Sequence, residues 1–202
     1  MFYLIGVNHN AQRHPCGATL DKDQEELQRR LNEAIDDHHP ELIAVEESVD
    51  TLLNDESIPR NAAEQHGIEA MLCEPSNDEK RRIGYMAKPQ IGFKLSACNC
   101  PPSLEKTAAD AVEIALNFPL REEFWLEKLK EHLRSEVIFV LGDDHIDSFS
   151  RRLQTLGIQD KVLVRGIGVT EARRAESEAA RRFPIESPEL FGAILQGMVG
   201  NR

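Results

Sequence analysis

The sequence predicts an α/β fold, an open and mostly parallel sheet of about five strands with helices on both faces. Two observations carry this. Short, nearly continuous apolar runs recur at 2–7, 42–45, 68–73, 137–141 and 162–164, as expected of parallel strands covered on both sides. Amphipathic stretches of helical period separate them, and right-handed crossovers then place helices on both faces.

The elements follow in order. The first run, FYLIGV, leads into Asn8-His9. Leu27, Leu31, Ala34 and Ile35 then share one helical face. His38-His39-Pro40 closes that helix as a polar C-terminus, with no metal needed to explain it. The run LIAV at 42–45 enters Glu46-Glu47 directly. Segment 84–102, GYMAKPQIGFKLSACNCPP, is rich in Gly, Pro and Cys and reads as a loop, lid or insertion. Ser103 is the expected N-cap of the Ala-rich stretch after it. A helix is expected over 121–134, with Trp125, Leu129 and Leu133 inward. The run VIFVL ends in Gly142-Asp143-Asp144-His145, and Ile146, Phe149, Leu153 and Leu156 share the next helical face. Segment 171–182 reads as a solvated helix with charge pairs. Ser187-Pro188 starts the last helix. Its apolar face, Phe191, Ile194, Leu195 and Met198, docks on the chain's own core or serves a homodimer.

Length and composition narrow the classes. A chain of 202 residues is read as one α/β domain over 1–202, long enough for a core without disulfide or metal staples. With 24 Lys+Arg against 35 Asp+Glu the formal charge is −11, which disfavours a general nucleic-acid binder. No apolar stretch approaches the roughly 20 residues that span a bilayer, so no membrane partner is expected. The start, MFYLIGVNHN, lacks the basic n-region of a signal peptide, and the expected location is cytoplasmic. Cys16, Cys73, Cys98 and Cys100 form no C-x-x-C pair, in keeping with a reduced compartment and with cysteines as small buried hydrophobes rather than a zinc finger.

Several motifs are absent. There is no P-loop, no G-x-S-x-G elbow and no H-E-x-x-H. Gly166-Ile167-Gly168 begins a dinucleotide fingerprint, but Glu171 stands where its third glycine belongs, so a tight turn is the reading.

The informative pattern is polar residues at strand ends. Asn8-His9, Glu46-Glu47 and Asp143-Asp144-His145 each follow a strand. In a parallel sheet those ends share the edge where ligands bind, so residues far apart in sequence converge. Neutral imidazole with carboxylate suits Mn, Fe, Co, Ni or Zn. A metal so held polarises a carbonyl and acidifies its bound water, and a remaining carboxylate, Glu47 or Asp144, is then a candidate general base. Each position also has a plain structural explanation. Asp143 or Asp144 can cap a helix, Glu46-Glu47 can be a solvated turn, and alternation lets only one of them point into a given face. Arg13 and His14 follow the first motif and are candidates to line the same pocket.

The set GVNH at 6–9, a glutamate after the second strand and GDDH at 142–145 resembles the TraB/PrgY and Tiki group, which belongs with ChaN-like and erythromycin-esterase-like proteins. The resemblance covers roughly 1–156 in three short patches. It implies an α/β scaffold, with His9 and His145 as metal ligands and Glu46 as their acidic partner. Arg121, in PLREEFW, is similar to an Arg-bearing helix start in that group and would hold an anionic substrate group. The chain is short for the group, and the doubled Glu46-Glu47 and Asp143-Asp144 leave the ligand set open.

Two functional readings follow. One is a hydrolase dependent on a divalent metal (Mn, Co, Ni or Zn), with His9, Glu46 and His145 at the metal. In it Glu47 or Asp144 is the base, Arg121 steadies a small-molecule or peptide substrate, and an ester, amide or related bond is cut. The other is a non-catalytic binding or regulatory module on the same fold.

Overall fold

The computed structural model describes residues 1–51, 55–98 and 100–199; Asn99, within the segment 84–102, lies outside them. The chain runs β1 (Phe2–Val7), α1 (His9–Gln12), β2 (Arg13–Pro15), α2 (Lys22–His38), β3 (Leu42–Val45), β4 (Asp55–Ser57), α3 (Ile58–His66), β5 (Glu69–Leu72) and α4 (Asn77–Ile83). It continues with α5 (Lys88–Ala97), α6 (Glu105–Val112), α7 (Phe118–Lys128), β6 (Val137–Gly142), α8 (Ile146–Thr155), β7 (Asp160–Ile167), α9 (Glu171–Glu186) and α10 (Pro188–Val199). Contacts gather these into two compact units: Met1–Asn77 with Glu122–Val169, and Asp78–Arg121 with the described residues from Thr170 onward.

The first unit is the α/β body. Five strands form one sheet in the order β5-β3-β6-β1-β7, and every neighbouring pair is parallel. The central strands β1 and β6 are buried along their whole length, which is why they read as unbroken apolar runs. Alternate residues feed two cores. Tyr3, Ile5, Ile43 and Val45 meet Leu27 and Leu31 of α2 and Ala62 of α3 on one face. Phe2, Leu4, Ala44 and Phe139 meet Trp125 of α7 and Phe149 and Leu153 of α8 on the other. Trp125, Phe139 and Phe149 meet edge to face at centroid distances of 5.2–5.6 Å, a geometry favoured by the ring quadrupoles.

The edge strands are harder to see in sequence. β7 covers eight residues, of which only the middle forms an apolar run, because much of its length is exposed or half-buried. The antiparallel pair β2–β4 has three residues per strand, too few to show alternation. Helix α2 starts with a capping box, Asp21 accepting from the Gln24 N–H while the Gln24 side chain takes the Asp21 N–H. It ends on His39, the one non-glycine residue at positive φ (47°) among those described, and His38 stacks on Tyr3 at 3.9 Å.

In the second unit, α5, α6, α9 and α10 enclose their own core around Leu95, Ala108, Ala111, Phe183 and Ile194. The segment expected as a loop is therefore helical over Lys88–Ala97. Pro89 falls in the first turn, where its missing N–H breaks no helical bond. Ser103 does not cap α6; that helix follows Leu104 without a side-chain cap. Nor is 121–134 one helix, since α7 begins at Phe118, stops at Lys128 and gives way to a 3-10 turn over Lys130–His132. Leu156, expected inward, lies beyond the end of α8 and is exposed. Phe191, Ile194 and Met198 of α10 are buried within this unit. Among the described residues no helix is long and apolar enough to cross a membrane.

Candidate functional site

The parallel register brings three strand ends together on the first unit. β1 and β6 are paired from Phe2↔Val137 to Val7↔Gly142, so the two G-x-x-H tetrapeptides lie side by side. β3 pairs with β6 on its other side, and the Glu46 N–H continues that ladder by donating to Val140 O. His9, Glu46 and His145 thus follow three adjacent strands.

Glu46 is the hub. Its side chain is fully buried, and Oε2 accepts the Gly142 N–H at 2.5 Å. Oε1 faces both imidazoles, 3.6 Å from His9 Nε2 and 3.9 Å from His145 Nε2. His145 is 2% exposed and Glu46 side chain 0%, whereas the His9 side chain is half-exposed at the start of α1. The group is therefore closed on one side and reachable through His9 on the other.

The two motif glycines explain how the tetrapeptides fit together. A Cβ on Gly142 would lie 3.2 Å from both His9 Nε2 and Glu46 Oε2. A Cβ on Gly6 would overlap the Asp143 carboxylate and stand 2.9 Å from Ile146 Cγ1. Each glycine makes room for side chains that belong to the other motif's neighbourhood.

The far side of His145 is held by a residue the sequence reading passed over. Nδ1 lies 3.0 Å from Glu122 Oε1, which also accepts from Ser148 Oγ at 2.5 Å, while Arg152 Nε donates to Glu122 Oε2 at 3.0 Å. The Trp125 ring meets the His145 ring edge at 4.8 Å. Burial pushes the Glu122 pKa up; the Ser148 hydroxyl and Arg152 guanidinium pull it down, and the nearby Glu46 charge adds to the rise. One signal was available: Glu122 shares a helical face with Trp125 and Leu129, and a carboxylate on an apolar face calls for a partner.

The other candidates are placed differently. Glu47, one residue beyond Glu46, turns to the opposite face, toward Ser57, Arg13 and Arg60. It is 3% exposed, with the Ser57 side chain as its polar neighbour. Burial pushes its pKa up to about 7, with Ser57 and the two arginines acting against the rise. The groups that act on Glu47 are therefore Ser57, Arg13, Arg60 and Asp55. His14 is also elsewhere, on β2 with Nε2 3.6 Å from Glu56, and Arg13 lies 3.9 Å from Asp55. Asp143 does not cap a helix; its carboxylate accepts the Gly166 N–H at 2.9 Å and so ties β6 to β7. Asp144 is half-buried in the 3-10 turn that ends at His145. Arg121 is buried on α7, one residue before Glu122, and belongs to the second unit. Cys73 is buried among apolar side chains, which pushes its thiol up to about 12 and leaves it a small hydrophobe.

Among the described residues no group of three or more His, Cys, Asp or Glu side chains forms a ready-made metal cage. Metal–ligand bonds of about 2.0–2.1 Å put tetrahedral neighbours about 3.3 Å apart. The separations of 3.6 and 3.9 Å around Glu46 Oε1 are wider than that by less than an ångström. They are also longer than a hydrogen bond. The donor set fits a divalent cation in kind, and holding one requires a small contraction, most easily made by the half-exposed His9.

The chain matches no family model, no curated protein and no solved structure.

Proposed function

We propose that the protein is a divalent-metal-dependent hydrolase whose centre is His9, Glu46 and His145. The observation that supports this most is the meeting of two imidazole Nε2 atoms on one buried carboxylate oxygen, at 3.6 and 3.9 Å. Two imidazole nitrogens and a carboxylate oxygen are a donor set suited to Mn, Co, Ni or Zn. A bound ion would polarise the carbonyl of an ester, amide or related bond and bring water acidified to near neutrality.

The chain's own residues do the rest. Glu46 is fixed through Oε2 by Gly142 and keeps Oε1 toward the imidazoles. Buried His145 is the rigid ligand and half-exposed His9 the adjustable one. Asp144, next to His145 in the chain, is the remaining candidate to take a proton from the attacking water. The likeness of GVNH, Glu46 and GDDH to the TraB/PrgY and Tiki group is consistent with this chemistry.

The second reading, a non-catalytic binding module, is favoured by the absence of a ready-made cage among the described residues. A turnover screen separates the two. Esters, peptides and phosphoesters are tested with and without each metal, for wild type and Glu46→Gln. Metal-dependent turnover lost in Glu46→Gln supports the hydrolase; no turnover with any substrate favours the module, and turnover indifferent to metal and to that substitution overturns both.

A further inference from the structure

We infer that Glu122 is a positioning residue that fixes the tautomer of His145 and leaves its Nε2 lone pair directed at Glu46. The argument is one of donors and acceptors. Glu122 receives Ser148 Oγ on Oε1 and Arg152 Nε on Oε2, at 2.5 and 3.0 Å. Arg152 Nε can only donate and is paired with Glu122 as with a carboxylate, which accepts; the Ser148 hydroxyl, which also reaches His145 O at 3.1 Å, lies against Oε1. His145 Nδ1 stands 3.0 Å from the same Oε1, so the proton of the neutral ring belongs on Nδ1. Nε2 is then the acceptor.

That assignment matters because of what Nε2 faces. Glu46 Oε1 lies 3.9 Å away, and two acceptors turned toward each other repel unless a cation or proton lies between them. The Trp125 ring, at 4.8 Å, closes the third side and limits rotation of the imidazole. Arg152 on α8 therefore acts on the strand-end group through two intermediaries, Glu122 and His145. The consequence for metal affinity rests on the hydrolase reading; the tautomer does not.

The test is imidazole 15N NMR of metal-free protein at pH 8, with the His145 signals assigned by their loss in His145→Gln. Wild type is expected to show a protonated Nδ1 and an unprotonated Nε2. Glu122→Ala is expected to mix or reverse the two forms, and Glu122→Gln, whose carbonyl still accepts, to restore the wild-type pattern. A wild-type ring protonated on Nε2, or a tautomer unchanged in Glu122→Ala, overturns the inference. The wild-type spectrum decides even where Glu122→Ala does not fold. Zinc titration is the second arm, with an expected affinity loss of about 10–100-fold in Glu122→Ala and a smaller one in Glu122→Gln. Wild type that takes up no zinc counts against the metal reading alone, and the spectrum still decides the role of Glu122.

Discussion

Glu46 and Glu47 are joined by one peptide bond and serve opposite faces of the sheet. Glu46 lies under His9 and His145, on the side packed by α7 and α8. Glu47 lies toward Arg13, Ser57 and Arg60, on the side packed by α2 and α3. Strand alternation continues past β3 because Glu46 N still bonds to Val140 O and Glu47 O still accepts from Glu74 N. One glutamate gains two imidazoles and a backbone donor; the other is buried beside Ser57.

That difference predicts a pH effect on stability. Glu47 sits at about 7 when folded, against an ordinary 4.5, so over that interval the folded chain binds the extra proton. The Glu47 contribution to stability is then fully present below about pH 4.5, is lost as pH rises through about 7, and changes no further above, a loss on the order of 3 kcal/mol. Glu122, also raised, contributes in the same direction. Urea unfolding of wild type and Glu47→Gln at pH 5 and pH 8 isolates the Glu47 share. The variant should match wild type more nearly at pH 5 and exceed it at pH 8; an equal difference at both values contradicts the assignment.

The two motif glycines predict unequal costs. A methyl group at position 6 meets the Asp143 side chain and fully buried Ile146, so Gly6→Ala should cost about 1–3 kcal/mol through overpacking. At position 142 the neighbours are the half-exposed His9 and the buried Glu46, both at 3.2 Å, and His9 can move. Gly142→Ala should therefore melt closer to wild type than Gly6→Ala while weakening metal uptake. Melting curves of the pair check the order, and a Gly142→Ala protein less stable than Gly6→Ala would reverse the reasoning.

Glu46 should separate shape from charge. Glu46→Gln keeps an acceptor for the Gly142 N–H, whereas Glu46→Ala leaves that donor unsatisfied, a cost of about 1–3 kcal/mol. Chemical denaturation should rank wild type and Glu46→Gln together and Glu46→Ala below them. Both variants should lose metal. Equal stability of the Ala and Gln variants would mean that the backbone bond carries little.

The sheet was legible because its central strands are apolar on both faces, and the five runs fall on the five strands that the structure pairs. The convergence of His9 and His145 with strand-end carboxylates followed from parallel order; the choice of Glu46 over Glu47 did not. What escaped was set by tertiary contact. The face that Glu47 occupies depends on the ladder continuing past Val45. The role of Glu122 depends on Ser148 and Arg152, which are separated from it by 26 and 30 residues. The helix at Lys88–Ala97 hid behind its Pro and Gly, tolerated because Ile91 and Leu95 are buried in the second unit.

The most direct test of the account is elemental analysis of purified protein after incubation with Mn, Co, Ni and Zn and desalting, wild type beside His9→Ala/His145→Ala, with circular dichroism confirming that both are folded. The account predicts one ion per chain in the wild type and none in the variant. Equal metal in the two proteins, or none in either, would contradict it.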